Sequence, residues 1–164
     1  MMNKLYLITG PAGVGKSTIS KALALKLPKS VLIEGDDIYH MVKGGYVSPL
    51  KEGNHMKLFW KNSISLIKNS LENGYDVVFN YIIKKQDYEI FKEKFKDYEI
   101  IFKVLLVSEE ELLRRDSLRD EDCRMNERCL VLLNSFKKQN FSDKYIIDTT
   151  KLDINETLNI VMKG

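Results

Sequence analysis

The segment GPAGVGKSTIS, Gly10 to Ser20, lies between the apolar run LYLIT and the helix-like KALALKL. It fits the spacing G-x-x-x-x-G-K-[ST], in which glycines let successive backbone N–H groups turn inward and form a concavity for phosphate oxygens at the positive end of a helix. Gly10, Pro11, Ala12, Gly13, Val14, Gly15, Lys16, Ser17 and Thr18 make up that cradle. Lys16 is placed to reach β- and γ-phosphates. Ser17 offers a hard oxygen to Mg²⁺, an ion that keeps most of its water and takes few protein ligands. The motif therefore predicts binding of a nucleoside triphosphate, with ATP and Mg²⁺ as cofactors.

Two further groups could act on such a ligand. Asp36 and Asp37 follow the apolar SVLIE, where a carboxylate could deprotonate an attacking hydroxyl, support the metal or simply cap the helix that starts there. The chain has 26 basic residues, yet only five are arginine: Arg114, Arg115, Arg119, Arg124 and Arg128, all within fifteen positions. Every planar guanidinium fork, the group suited to bidentate phosphate binding, is thus confined to one segment. Adjacent helical residues point about 100° apart, so only one of Arg114 and Arg115 can enter a common site.

The elements that must position these groups alternate. KLYLIT reads as a first strand and Lys16 to Leu27 as a helix ended by Pro28, with SVLIE as the second strand. GDDIYHMVKGG reads as a helix stopped at Gly44-Gly45, and YVSPLKEGN as a loop. His55 to Asn73 carries Met56, Phe59, Trp60, Ile64, Ile67 and Leu71 at helical spacing, and YDVVFNYII is the third strand. Then come a short helix over 86–95, the strand YEIIFKVLLV, a helix opened by Ser108 and Glu111 in capping-box spacing, and a long helix over 125–139. KYIID is the fifth strand and DINETLNIVMK the last helix. This order predicts an α/β fold, a five-stranded parallel sheet with helices on both faces, whose ligands gather at the carboxyl ends of the strands. Residues after strands one, two and three meet there: the loop, Asp36 with Asp37, and Asn80.

A chain of 164 residues suits one domain, 1–164. Its 44% hydrophobic and 30% charged composition is that of a soluble globule, no apolar run spans a bilayer, and MMNKLYLITG lacks a signal peptide's features, so a cytoplasmic protein without membrane contact is expected. A net charge of +3 makes nucleic acid an unexpected partner. Cys123 and Cys129 have no metal spacing and read as incidental helix neighbours; His40 reads as a pocket-edge residue without a second metal ligand. TKLD, Thr150 to Asp153, imitates a guanine-specificity motif, but FNYI brings no D-x-x-G, and Asp153 with Glu156 fits a helix cap.

GPAGVGKST, IEGDDIY, VVFNYI and LLRRDSLR resemble the P-loop small-molecule and nucleic-acid kinases, a family that includes gluconate kinase, shikimate kinase, chloramphenicol phosphotransferase and polynucleotide 5′-kinase. The resemblance implies a three-layer P-loop NTPase fold with a short lid at about 114–128. It implies Asp36 as the base accepting the acceptor hydroxyl's proton, and Arg115 and Arg119 as lid arginines over the transferring phosphoryl group. Asp37, Tyr39, His40, Asn80, Arg124 and Arg128 are the further candidates for the acceptor side. Asn80 stands where these families often carry aspartate, and Tyr39 where polynucleotide kinases carry arginine, which disfavours a nucleic-acid acceptor. The expected activity is transfer of the γ-phosphoryl group of MgATP to a small-molecule hydroxyl by a monomer or homodimer. The alternatives are a non-catalytic ATP-binding module and a polynucleotide or nucleoside 5′-kinase.

Overall fold

Successive residues of a strand covered on both sides must feed two different cores, and the first strand does so. In the computed structural model, which describes residues 3–163 apart from the side chain of Cys123, Leu5 and Leu7 enter one apolar cluster while Tyr6 and Ile8 enter another. The sheet holds five parallel strands, β1 (Lys4–Thr9), β2 (Ser30–Glu34), β3 (Asp76–Asn80), β4 (Glu99–Leu106) and β5 (Ile146–Asp148), in the order β2-β3-β1-β4-β5.

The seven α-helices among the described residues are α1 (Lys16–Lys26), α2 (Gly35–Tyr39), α3 (Met56–Glu72), α4 (Lys85–Lys94), α5 (Glu109–Ser117), α6 (Glu127–Lys138) and α7 (Ile154–Met162). Phe59, Ile67 and Leu71 of α3 and Tyr88 and Phe91 of α4 fill the first cluster. Ile19 and Leu23 of α1, Leu112 of α5 and Leu158 and Val161 of α7 fill the second. Fully burying one such side chain is worth roughly 1.5–3 kcal/mol, so these two cores fix the helices against the sheet. The result is three layers, as expected from the alternation.

Register sets what the sheet presents. Glu34 pairs with Asn80, and Asn80 with Ile8, so β2, β3 and β1 end level with one another. Four local readings need correction. The third strand stops at Asn80 rather than continuing through Ile83, because the Ile83 N–H donates to Thr9 Oγ1 at 2.8 Å and leaves the ladder. The helix at Gly35 has only five residues: Tyr39 is buried and its hydroxyl donates to Val47 O at 2.7 Å, pulling 41–55 back over it as an irregular loop. The fifth strand starts at Ile146, after a 3-10 turn over Asp143–Tyr145. Ser108 does cap α5, accepting from Glu111 N at 3.2 Å, but the returning half of the capping box is missing because arginines hold the Glu111 carboxylate.

Candidate nucleotide and acceptor site

The glycine loop passes so close to β4 that a Cβ on Gly10 would lie 2.3 Å from Leu105 O, and Gly10, Gly13 and Gly15 have φ of 147°, 83° and 102°. Only glycine adopts this path without strain. Gly15 is also the N-cap of α1 and brings no side-chain acceptor, so the first N–H groups of α1 remain directed at the loop's concavity. Pro11 and Val14 are buried and anchor the loop, Ala12 is half-buried, and Thr18 is exposed. The Lys16 ammonium curls across the loop and donates to Gly10 O at 3.1 Å and Pro11 O at 3.0 Å. Burial pushes its pKa down to about 8; Asp36 and Glu34 oppose the shift and Arg119 adds to it. One ammonium thus feels groups from the ends of β1 and β2 and from the arginine segment.

Ser17 donates to Glu34 Oε2 at 2.9 Å. Glu34, the last residue of β2, was missed by the sequence reading, although a carboxylate closing an apolar strand at the ligand-binding edge of the sheet is a readable signal. Asp36 and Asp37 occupy the first turn of α2 and are exposed; neither carboxylate makes a hydrogen bond among the described residues, so neither acts as the helix cap. Asn80 is 4% exposed, and its amide nitrogen has no partner among the described residues. Tyr81 packs so tightly on α2 that a Cβ on Gly35 would come 2.5 Å from its ring. Burial raises the Tyr81 pKa, with Asp36 adding to the effect, which leaves a protonated hydroxyl on the wall beside Asp36.

The loop after α2 folds back over Tyr39. Tyr39, expected to face substrate, instead spends its hydroxyl on Val47 O and on the N–H of His55. His40 is exposed and stacks on Tyr46 with ring centroids 5.6 Å apart.

The arginines divide by role. Arg114 faces outward and forms a two-point pair with Glu111. Arg115 turns toward the loop: Nε donates to Glu111, Nη1 to Val14 O at 3.0 Å and Thr149 Oγ1 at 3.2 Å, and Nη2 to Thr149 O at 2.8 Å. It staples α5 to the phosphate loop and to the end of β5. The Arg119 guanidinium has one acceptor among the described residues, Asp116 Oδ1, reached through Nη1 at 3.3 Å. Arg124 donates to Arg119 O, and Arg128 is exposed with no side-chain partner among the described residues. Cys129 is buried and its thiol donates to Asn126 O; burial raises its pKa and keeps it unreactive. It lies in α6 while Cys123 lies in a separate 3-10 turn, so the two are not neighbours on one helix. Asp153 and Glu156 form a complete capping box on α7, which accounts for the guanine-like motif.

A cleft of about 490 Å³ opens beside the loop, lined by Gly15, Thr18, Arg115, Thr149, Leu152 and Asn155 among others. Its size and place suit a nucleoside next to phosphates held at the start of α1. Among the described residues no three His, Cys, Asp or Glu side chains cluster as a metal cage, and no helix is long and apolar enough to cross a membrane.

The family described as AAA domain matches residues 7–153. Among solved structures, the APS kinase of Mycobacterium tuberculosis in complex with AMPPNP and APS superposes with a TM-score of 0.73 at 14% identity, covering 99% of this chain and 96% of that one. The tunicamycin resistance protein of Deinococcus radiodurans gives 0.72 at 15% identity, over 98% and 94%. A gluconokinase from Sinorhizobium meliloti 1021 gives 0.67 at 19% identity, over 99% and 91%. At these identities the likeness establishes a shared fold.

Proposed function

We propose, from the premise that this chain belongs to the AAA domain family, that it is an ATP-dependent kinase transferring the γ-phosphoryl group to a hydroxyl of a small molecule. The observation that carries this reading is the phosphate loop itself, with Lys16 folded onto Gly10 O and Pro11 O, Ser17 bonded to Glu34 from the end of β2, and Asp36 exposed in the first turn of the helix that follows that strand. A binding module needs the loop alone; it has no use for a carboxylate, Asp36, left unpaired among the described residues at the start of the next helix. The neighbours of like fold, which include an APS kinase and a gluconokinase, agree with it.

In this reading the triphosphate lies on 10–18 and the base in the cleft beside Arg115. Lys16 leaves the loop carbonyls for the β- and γ-phosphates. Asp36 takes the proton of the acceptor hydroxyl, whose oxygen attacks the γ-phosphorus while the bond to the β,γ-bridging oxygen breaks and ADP departs. Arg119 faces the charge on the transferring group. Mg²⁺ fits the donors present: Ser17 Oγ as a direct ligand, with Glu34 behind it to accept from the ion's water. When bound, the ion would neutralise phosphate charge. Glu34 supplies the carboxylate that Asn80, a neutral amide on the adjoining strand, does not.

The absence of arginine from 36–60 favours a small acceptor over a nucleic-acid end. A thermal-shift screen of hydroxyl-bearing metabolites and antibiotics with a non-hydrolysable ATP analogue, followed by phosphoryl transfer from labelled ATP to the hits, tests the reading. A labelled small molecule is the expected result; labelled oligonucleotide ends instead would move the assignment to a 5′-kinase.

A further inference from the structure

Asp116 is an acid with no place in the scheme above, and it is 2% exposed. A carboxylate so buried must be neutralised by protonation or by donors, and donors surround it. Met125 N–H reaches both oxygens at 3.1 and 2.9 Å, Asn126 N–H reaches Oδ2 at 2.7 Å, and Arg119 Nη1 reaches Oδ1 at 3.3 Å. These hydrogen bonds outweigh burial and hold its pKa below the usual carboxylate value, so the group is ionised.

All three donor residues come from the arginine segment beyond the end of α5. Asn126, at the N-cap of α6, has φ 50° and ψ −132°, a backbone conformation that side-chain-bearing residues disfavour and that the Asp116 bond to its N–H helps to fix. On its other side the carboxylate faces the phosphate loop without bonding it: a Cβ on Gly13, which glycine lacks, would lie 3.9 Å from Oδ1. The oxygen that holds Arg119 is therefore the one nearest the loop's central glycine. The Arg119 guanidinium gives Asp116 a single long bond and has no other acceptor among the described residues, which leaves Nε and Nη2 for a phosphate, whereas every nitrogen of the Arg115 guanidinium already donates to protein.

We propose that Asp116 is a positioning residue, whose buried carboxylate gathers the 119–126 segment beside the phosphate loop and holds the Arg119 guanidinium where a terminal phosphate is received. This rests on the kinase reading. Asp116 touches no substrate atom; it acts through Arg119.

The test is the affinity of the full chain for a non-hydrolysable ATP analogue divided by its affinity for ADP, measured with Mg²⁺ by calorimetry. This ratio isolates the γ-phosphate and needs no acceptor. Asp116→Asn is expected to lower the ratio at least tenfold, Arg119→Ala to lower it similarly, and the double variant to lower it no further than Arg119→Ala alone. A merely structural Asp116 would weaken both nucleotides equally, and an unchanged ratio in folded Asp116→Asn, or losses that multiply in the double variant, overturns the proposal. If Asp116→Asn does not fold, Asp116→Glu, which keeps the charge but displaces it by one methylene, is read by the same ratio and against the same outcomes. Lys16→Ala separates the two levels. If it binds both nucleotides as the unaltered chain does, the reading of the loop fails; if it loses both while Asp116→Asn keeps its ratio, the proposal alone fails.

Discussion

Lys16 holds a proton less tightly than an ordinary lysine because the loop buries it, with a pKa of about 8 against 10.5. The unfolded chain therefore binds more protons between these values, and Lys16's contribution makes the fold more stable as pH rises through about 8 to 10.5; below that window the buried ammonium is a constant cost. A triphosphate on the loop would restore the ordinary or a higher pKa. Nucleotide binding at about pH 9 should then take up close to one proton, roughly 0.9, visible as a dependence of the calorimetric heat on the buffer's ionisation enthalpy. Lys16→Ala should abolish that uptake. At this scale the sequence is most legible where the chemistry is local: the glycine spacing, Lys16 and Ser17 are adjacent in the chain and readable together, while Asp36 was read from its place just after the second strand. Glu34 and Asp116 were not, since each acts through a partner supplied by another part of the fold. Glu34 meets Ser17 only because β2 ends level with β1 across β3, and Asp116 meets Gly13 only once α5 packs beside the loop.

Among the elements, α5 links the loop to the arginine segment, and Arg115 is the link's strongest part. The angle between Arg114 and Arg115 allowed only one of them to turn inward, and the kinase resemblance picked Arg115; the bonds to Val14 O and Thr149 could not be foreseen, because 101 and 34 residues separate the partners. Lysine cannot reproduce those bonds, so Arg115→Lys should cost about 1–2 kcal/mol and lower Tm by several degrees. An unchanged Tm with turnover reduced tenfold would instead give Arg115 a direct part in transfer. The short α2 has a similar origin: local pattern favoured a helix to Gly44, but burying Tyr39 and satisfying its hydroxyl at Val47 ended it earlier. Tertiary satisfaction of one polar atom overrode a weak local preference.

For the whole molecule, strand alternation was enough to foresee a three-layer parallel sheet, since continuous apolar strands have no other way to cover both faces. The charge argument acts at the same scale. With a net charge of +3, single-stranded oligonucleotides should bind weakly, and log K should fall only shallowly with log salt. Filter binding across a salt series checks this; a slope corresponding to several neutralised phosphates would point to a nucleic-acid groove.

The central claim, a triphosphate cradled by the loop and fired at a hydroxyl beside Asp36, is tested most directly by comparing Lys16→Ala and Asp36→Asn in one pair of assays, MgATP affinity and transfer to the acceptor found by the screen. Lys16→Ala should lose both. Asp36→Asn should bind MgATP within about threefold of the unaltered chain yet transfer roughly 10²-fold more slowly, the usual worth of a general base. Undiminished MgATP affinity in Lys16→Ala, or full transfer by Asp36→Asn, would contradict the account.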